Sequence, residues 1–137
     1  MNPVKAGRAD SPIRDILTEA VATVHPEATL REVAETLAGH DIGVVLVSPI
    51  RDAVGMISER DLVSVLASGE DIDARRAAEA MSTELVSTTV DTTVTDVAQL
   101  MNEAGVRHVL VRDGDNLAGL VSIRDVLAAL TPTRDRG

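Results

Sequence analysis

The chain states one pattern twice, at a spacing of 64 residues. Gly55-Met56-Ile57-Ser58-Glu59-Arg60-Asp61 returns as Gly119-Leu120-Val121-Ser122-Ile123-Arg124-Asp125, and the register continues upstream without a gap. Thr29 maps to Thr93, Val33-Ala34 to Val97-Ala98, Val45-Leu46-Val47 to Val109-Leu110-Val111, and Leu66 to Leu130. Such a duplication demands two similar half-cores, each too small to bury its own apolar sheet face alone. Two related half-cores leaning on each other make two related clefts, with the repeated polar residues at their edges. A ligand-binding module is therefore the first expectation, ahead of an enzyme.

The cores must be aliphatic, because the 137 residues contain no Phe, Trp or Tyr. A chain of this length buries roughly 68–70% of its unfolded surface, enough for a core of Val, Leu, Ile, Ala and Met. The missing aromatics remove the stacking platforms on which single-stranded nucleic acids lie. The net charge of -9 points the same way, since phosphate backbones need a basic surface. Without cysteine there is neither a disulfide nor a thiolate metal site, which fits a reducing compartment. No apolar run approaches the roughly 18–20 residues that span a bilayer, and Met1–Ser11, with only Lys5 and Arg8 as cations, is no signal peptide. The expectation is a soluble cytoplasmic protein with no membrane or nucleic-acid partner and flexible ends at 1–10 and 132–137.

Each repeat reads as strand, helix, strand, strand, helix. In the first, Val21–Val24 is a short strand, and Thr29 with Glu32 forms a capping box ahead of Leu30, Val33, Ala34, Leu37 and Ala38 at helical spacing. Gly39 is the predicted stop, Gly43–Val47 and Ala53–Ile57 form a hairpin, and a second helix covers Glu59–Ala67. In the second, the strand is Leu85–Thr89, and Thr93 with Asp96 opens a helix burying Val94, Val97, Ala98 and Met101. His108–Arg112 pairs with Leu117–Val121 across Asp113-Gly114-Asp115-Asn116, and the last helix is Ile123–Leu130. Short helices precede each unit at Ile13–Leu17 and Arg76–Met81. The predicted fold is α+β: repeat one at 11–68, a linker at 69–75 and repeat two at 76–131, packed about a pseudo-two-fold axis with their sheets facing each other.

The repeated Gly-x-x-Ser-x-x-Asp sits between a strand and a helix and supports two readings. Ser-x-x-acid is a helix cap, worth about 0.5–2 kcal/mol with no ligand at all. The same helix N-terminus offers N–H groups and a positive dipole end that suit a phosphate. A serine hydroxyl there can donate to phosphate, and an aspartate three residues on can accept from the two hydroxyls of a ribose. Retention of Ser, Arg and Asp in both copies favours the ligand reading.

Paired repeats of this length, ending in Gly-h-h-Ser-x-x-Asp before a terminal helix, resemble tandem CBS domains, the cystathionine-β-synthase repeats whose pair is called a Bateman module. Gly105-Val106-Arg107-His108-Val109-Leu110-Val111 strengthens the likeness, which covers about residues 11–130. The resemblance implies a free-standing, non-catalytic sensor binding an adenosine-type ligand (AMP, ADP, ATP, sometimes S-adenosylmethionine or NAD) in clefts between the repeats. It implies one site with Ser122, Asp125, Arg107 and Leu120, closed by Thr18, Ala22 and Ile42. Its counterpart has Ser58, Asp61, Met56 and Gly43, closed by Ser82, Val86 and Val106. The adenine would lie between aliphatic side chains and be read by backbone groups of the first strands. Family members commonly carry proline where this chain has Leu46 and Leu110, so the strands near the cleft would pair differently here.

The two sites are unequal in sequence: Gly43 stands where the other copy has Arg107. A guanidinium neutralises phosphate through charge-assisted bonds worth about 1.5–3 kcal/mol each, so phosphorylated ligand should favour the Ser122/Asp125 site. Arg60 and Arg124 could reach phosphate or serve as helix-surface charges. His25, His40 and His108 lack metal-ligand spacing, and neither a nucleophile elbow nor a phosphate loop is present. The expected partners are an adenine nucleotide, a second copy in a homodimer and a separate effector protein. The competing readings are a structural dimerisation module whose Ser-x-x-Asp elements are caps only, and a module for S-adenosylmethionine, NAD or a metal ion.

Overall fold

The β-branched runs around Val45 and Val109 form central strands, and each half of the chain is arranged on its own run. The computed structural model describes residues 4–5, 9–17, 21–50, 52–131 and 133–134. In chain order come β1 (Val4–Lys5), a 3-10 turn at Ile13–Ile16, β2 (Thr23–Val24), α1 (Leu30–His40), β3 (Val44–Val47) and β4 (Gly55–Ser58). Then follow α2 (Glu59–Ala67), α3 (Ala77–Ala80), β5 (Ser87–Thr89), α4 (Val94–Ala104), β6 (His108–Asp113), β7 (Asn116–Ser122), α5 (Ile123–Leu130) and β8 (Thr133–Arg134). The α+β class and the doubled strand–helix–strand–strand–helix order are those expected. The chain divides into two units, Val21–Leu85 and Val86–Gly137 with Met1–Ala20.

In the Val21–Leu85 unit the sheet order is β2-β3-β4, with β2 parallel and β4 antiparallel to β3. Alternate β3 residues face opposite sides, and Val45 and Val47 meet Ile57, Leu30, Val33, Leu37, Leu62, Val65 and Ala77 in one buried cluster. Each Val, Leu or Ile side chain fully buried in this way contributes about 1.5–3 kcal/mol of transfer free energy. The Val86–Gly137 unit repeats the plan with β5-β6-β7, and its cluster holds Val94, Val97, Met101, Val109, Val111, Val121 and Val126. A two-residue turn joins β6 to β7, with Gly114 at φ +62°, a left-handed conformation that glycine adopts without strain. β1 and β8 pair antiparallel.

The leading segments pack in a way the repeat register does not announce. Ile13, at the head of the first repeat, is fully buried in the cluster of the second repeat's helices and strands. Ala77, at the head of the second, is fully buried in that of the first. Each leader also closes a helix start: the Leu30 N–H donates to the Arg75 carbonyl (3.0 Å), and the Val94 N–H to the Ser11 carbonyl (3.0 Å). These are first-turn donors without an intrahelical acceptor. The stretch 70–75 is likewise tied down, by the Arg31 N–H on the Ile72 carbonyl and by Arg31 Nη2 on Asp73 Oδ2 (3.0 Å). Arg31 holds the Asp73 carboxyl below its usual range, and Asp73 in turn raises the guanidinium.

Several expected boundaries shift. Helix α1 runs through Gly39 to His40 and stops at Asp41, the one described non-glycine residue with positive φ (52°). The second repeat uses Gly105 (φ +68°) at that point. Gly39 is exposed with open space around it, so nothing forces the helix to end there. β2 begins at Thr23 instead of Val21, β5 at Ser87 instead of Leu85, and β4 at Gly55 instead of Ala53, because each strand extends only as far as its neighbour supplies a ladder. β6 and β7 run one residue further at each turn-side end than expected, and β7 also reaches Ser122. The termini at 1–3 and 135–137 lie outside the described residues.

Candidate functional site

In both repeats the motif serine is the N-cap of the following helix, held extended at φ -99°, ψ 164° for Ser58 and φ -101°, ψ 161° for Ser122. The Ser58 N–H donates to Asp61 Oδ2 (2.8 Å) and the Asp61 N–H to Ser58 Oγ (3.1 Å). In the second copy the Ser122 N–H donates to Asp125 Oδ2 (3.1 Å), as does the Ser122 hydroxyl (2.9 Å), while the Asp125 N–H donates to Ser122 Oγ (3.2 Å). These are complete capping boxes on half-buried residues. Each leaves the second aspartate oxygen, Oδ1, without a partner among the described residues.

The next donor along each helix fixes the residue that differs between the copies. The Ile123 N–H donates to the Arg107 carbonyl (2.8 Å), and the Glu59 N–H to the Gly43 carbonyl (2.9 Å). Arg107 therefore enters β6 across from the start of α5, with His108 paired to Ser122 in the ladder. Its side chain is exposed and makes no ion pair with any described residue. At the start of α2 the place is acidic instead: a Cβ added to Gly43 would lie 3.1 Å from Glu59 Oε1. Sequence reasoning missed Glu59, although its counterpart Ile123 stands in the same column of the repeat.

Met56 exchanges both backbone hydrogen bonds with Ser82, N–H to carbonyl at 3.0 and 2.9 Å, which brings Ser82 onto the motif strand. Gly55 makes this approach possible, because a Cβ there would collide with Met81 Sδ. Leu120 faces Leu110 across the β6–β7 ladder. Ala22 and Ile42 lie in the unit of Ser58, Asp61, Met56, Gly43 and Ser82; Val86 and Val106 lie in that of Ser122, Asp125, Arg107 and Leu120. Thr18 lies outside the described residues.

Leu46 and Leu110 each restore a strand N–H, and both are used: Leu46 donates to the Ala22 carbonyl (3.0 Å), Leu110 to the Val86 carbonyl (2.9 Å). The backbone acceptors expected to read an adenine thus each hold one internal bond already. Arg60 and Arg124 are exposed and, among the described residues, unpaired. His25 Nδ1 accepts from the Glu27 N–H and His40 Nδ1 contacts the Thr36 carbonyl, both local bonds. Among the described residues no group of three or more His, Asp or Glu side chains is placed to hold a metal ion, and no helix is long and apolar enough to cross a membrane.

Comparison with known proteins fits this geometry. The family model described as "CBS domain" matches residues 13–68 and 77–132. The Bacillus subtilis CBS domain-containing protein YhcV is 34% identical over 117 residues, covering 85% of this chain and 83% of that protein. A CBS-domain-containing protein from Agrobacterium tumefaciens superposes with a TM-score of 0.78 at 32% identity, over 87% of this chain and 98% of that one. A CBS domain protein from Pyrobaculum aerophilum, solved complexed with AMP, gives a TM-score of 0.74 at 27% identity, over 87% and 97% of the two chains.

Proposed function

The chain belongs to the CBS-domain family, as a tandem pair of such domains and a regulatory module by class, and on that footing we propose that it binds an adenosine-type nucleotide (AMP, ADP or ATP) at the Ser122–Asp125 end of α5. What carries this reading is Arg107: an exposed cation whose own carbonyl is bonded to the first N–H of that helix. A phosphate placed there would meet a guanidinium, a serine hydroxyl and a helix N-terminus together. Asp125 Oδ1 is the acceptor for ribose hydroxyls, and Leu120 supplies aliphatic surface for the base. The AMP complex of the Pyrobaculum aerophilum relative supports the ligand class.

Chemistry at this site is binding and nothing more. The Ser122 hydroxyl, now donating to Asp125, turns toward phosphate, and the aspartate exchanges part of its capping role for a ribose. A regulatory response follows only from a difference in affinity between two arrangements of the protein, because a ligand that binds both equally shifts neither. The response would be read by a second copy in a homodimer or by a separate effector.

A second reading has its own observation: both Ser–Asp pairs are complete caps, which an association module needs for stability alone. One experiment separates the two. Without Phe, Trp or Tyr the purified protein is almost transparent in the near ultraviolet, so a purine absorption band reports co-purified ligand directly, and mass spectrometry of the released molecule identifies it. Absence of that band, together with no thermal stabilisation by added AMP, ADP or ATP, favours the association module.

A further inference from the structure

We propose that Glu59, lying over Gly43, is a specificity-determining residue that closes the first repeat's motif to phosphate, so that this end takes an adenosine-type ligand without phosphate while the Arg107 end takes the nucleotide. The inference rests on the nucleotide-binding reading above and assigns the two ends to ligands of different charge.

The geometry supplies the argument. Position for position, Arg107 and Ile123 in the second repeat become Gly43 and Glu59 in the first. Both exchanges run in one electrostatic direction, removing a cation and adding an anion at the same helix start. The backbone link is the same in both copies, N–H of the first helical residue to the carbonyl of residue 43 or 107, at 2.9 and 2.8 Å. The paired positions are therefore held as neighbours by the fold. Glu59 Oε1 occupies the space that a side chain at position 43 would enter, 3.1 Å from its Cβ. An incoming phosphate would meet that carboxylate in place of a guanidinium.

Helix stability alone gives Glu59 an ordinary purpose, since an acid in the first turn complements the dipole. That purpose does not account for the paired loss of arginine beside it. Like charges at such a surface repel a phosphate while leaving an uncharged ribose or a cationic substituent unopposed. The Ser58–Asp61 box, identical in plan to its counterpart, still offers Asp61 Oδ1 to a diol.

The test is calorimetric titration of AMP and of adenosine into the full chain, the double variant Gly43→Arg/Glu59→Ile, and the isosteric Glu59→Gln. The double variant reproduces a pair that the second repeat already folds with, and Glu59→Gln keeps the side-chain size should the double variant fail to fold. We expect one AMP per wild-type chain and two in the double variant. In Glu59→Gln, AMP should tighten at the first end by about tenfold or more, the scale of one like charge removed. Adenosine binding at that end should change little. If the wild type binds one AMP and neither variant gains a second, the inference is overturned while the nucleotide reading stands. Two equal AMP sites in the wild type overturn it as well. If neither AMP nor adenosine binds any of the proteins, the nucleotide reading fails and takes this inference with it.

Discussion

Replacing Gly55 by alanine tests how the first motif strand is held. Gly55 is buried at the start of β4, one residue before the Met56–Ser82 exchange of hydrogen bonds. An alanine Cβ would collide with Met81 Sδ and lie 2.7 Å from its Cγ and 2.9 Å from its Cβ. The sulfur and Cγ can swing away, but the Met81 Cβ is anchored to backbone, so the 81–82 segment itself must move. Overpacking of this kind costs about 1–3 kcal/mol. For 137 residues, at about 2.1 cal/mol/K of unfolding entropy per residue, that is a drop in Tm of roughly 4–10 °C. Met81→Ala removes two of the three close atoms, so the double variant Gly55→Ala/Met81→Ala should lose less than the sum of the singles, with a coupling of about 1 kcal/mol. Urea and thermal unfolding followed by far-ultraviolet circular dichroism measure all three, as the chain has no tryptophan to report by fluorescence. A Gly55→Ala change below about 0.5 kcal/mol, the size of an ordinary surface substitution, would refute the reasoning.

Ser58→Ala and Ser122→Ala each remove the acceptor of a cap and should destabilise by about 1 kcal/mol, within 0.5–2; equal stability to wild type in chemical denaturation would show that the boxes carry no load. Asp41→Gly relieves the left-handed strain at the end of α1 and should raise stability by up to about 1 kcal/mol, a gain that a melting curve resolves. Asp73 has its folded pKa lowered by Arg31, so its stabilising effect is present above the unfolded carboxylate value of about 3.9 and is lost as pH falls below it. The melting temperatures of wild type and Asp73→Asn should therefore differ at neutral pH and converge in acid; a gap that persists or widens at low pH contradicts the sign.

How much of this was legible depends on the kind of interaction. The caps were plain, because Ser58 with Asp61 and Thr29 with Glu32 are local, three residues apart, and the boxes form as read. The two hairpins were plain for the same reason. The placement of Ile13 and Ala77 was not, because a leader's packing partner lies many residues away and the repeat register groups each leader with the repeat that follows it. Gly39 is not the end of α1 that the sequence predicts, since glycine marks a stop only where the chain turns left-handed, and Asp41 takes that role. Glu59 escaped notice because its meaning appears only with Gly43 beside it, a closeness set by strand and helix together. The use of the Leu46 and Leu110 N–H groups likewise needed the parallel ladder to be seen.

Titration of AMP into wild type and Arg107→Ala by calorimetry decides whether the Ser122–Asp125 end, with Arg107, is a nucleotide site. Loss of one charge-assisted contact of about 1.5–3 kcal/mol predicts saturable binding to wild type, weakened roughly 10- to 150-fold in the variant. No detectable AMP binding to wild type, or a change in Kd of less than about twofold on removing Arg107, well short of a single such contact, would contradict it.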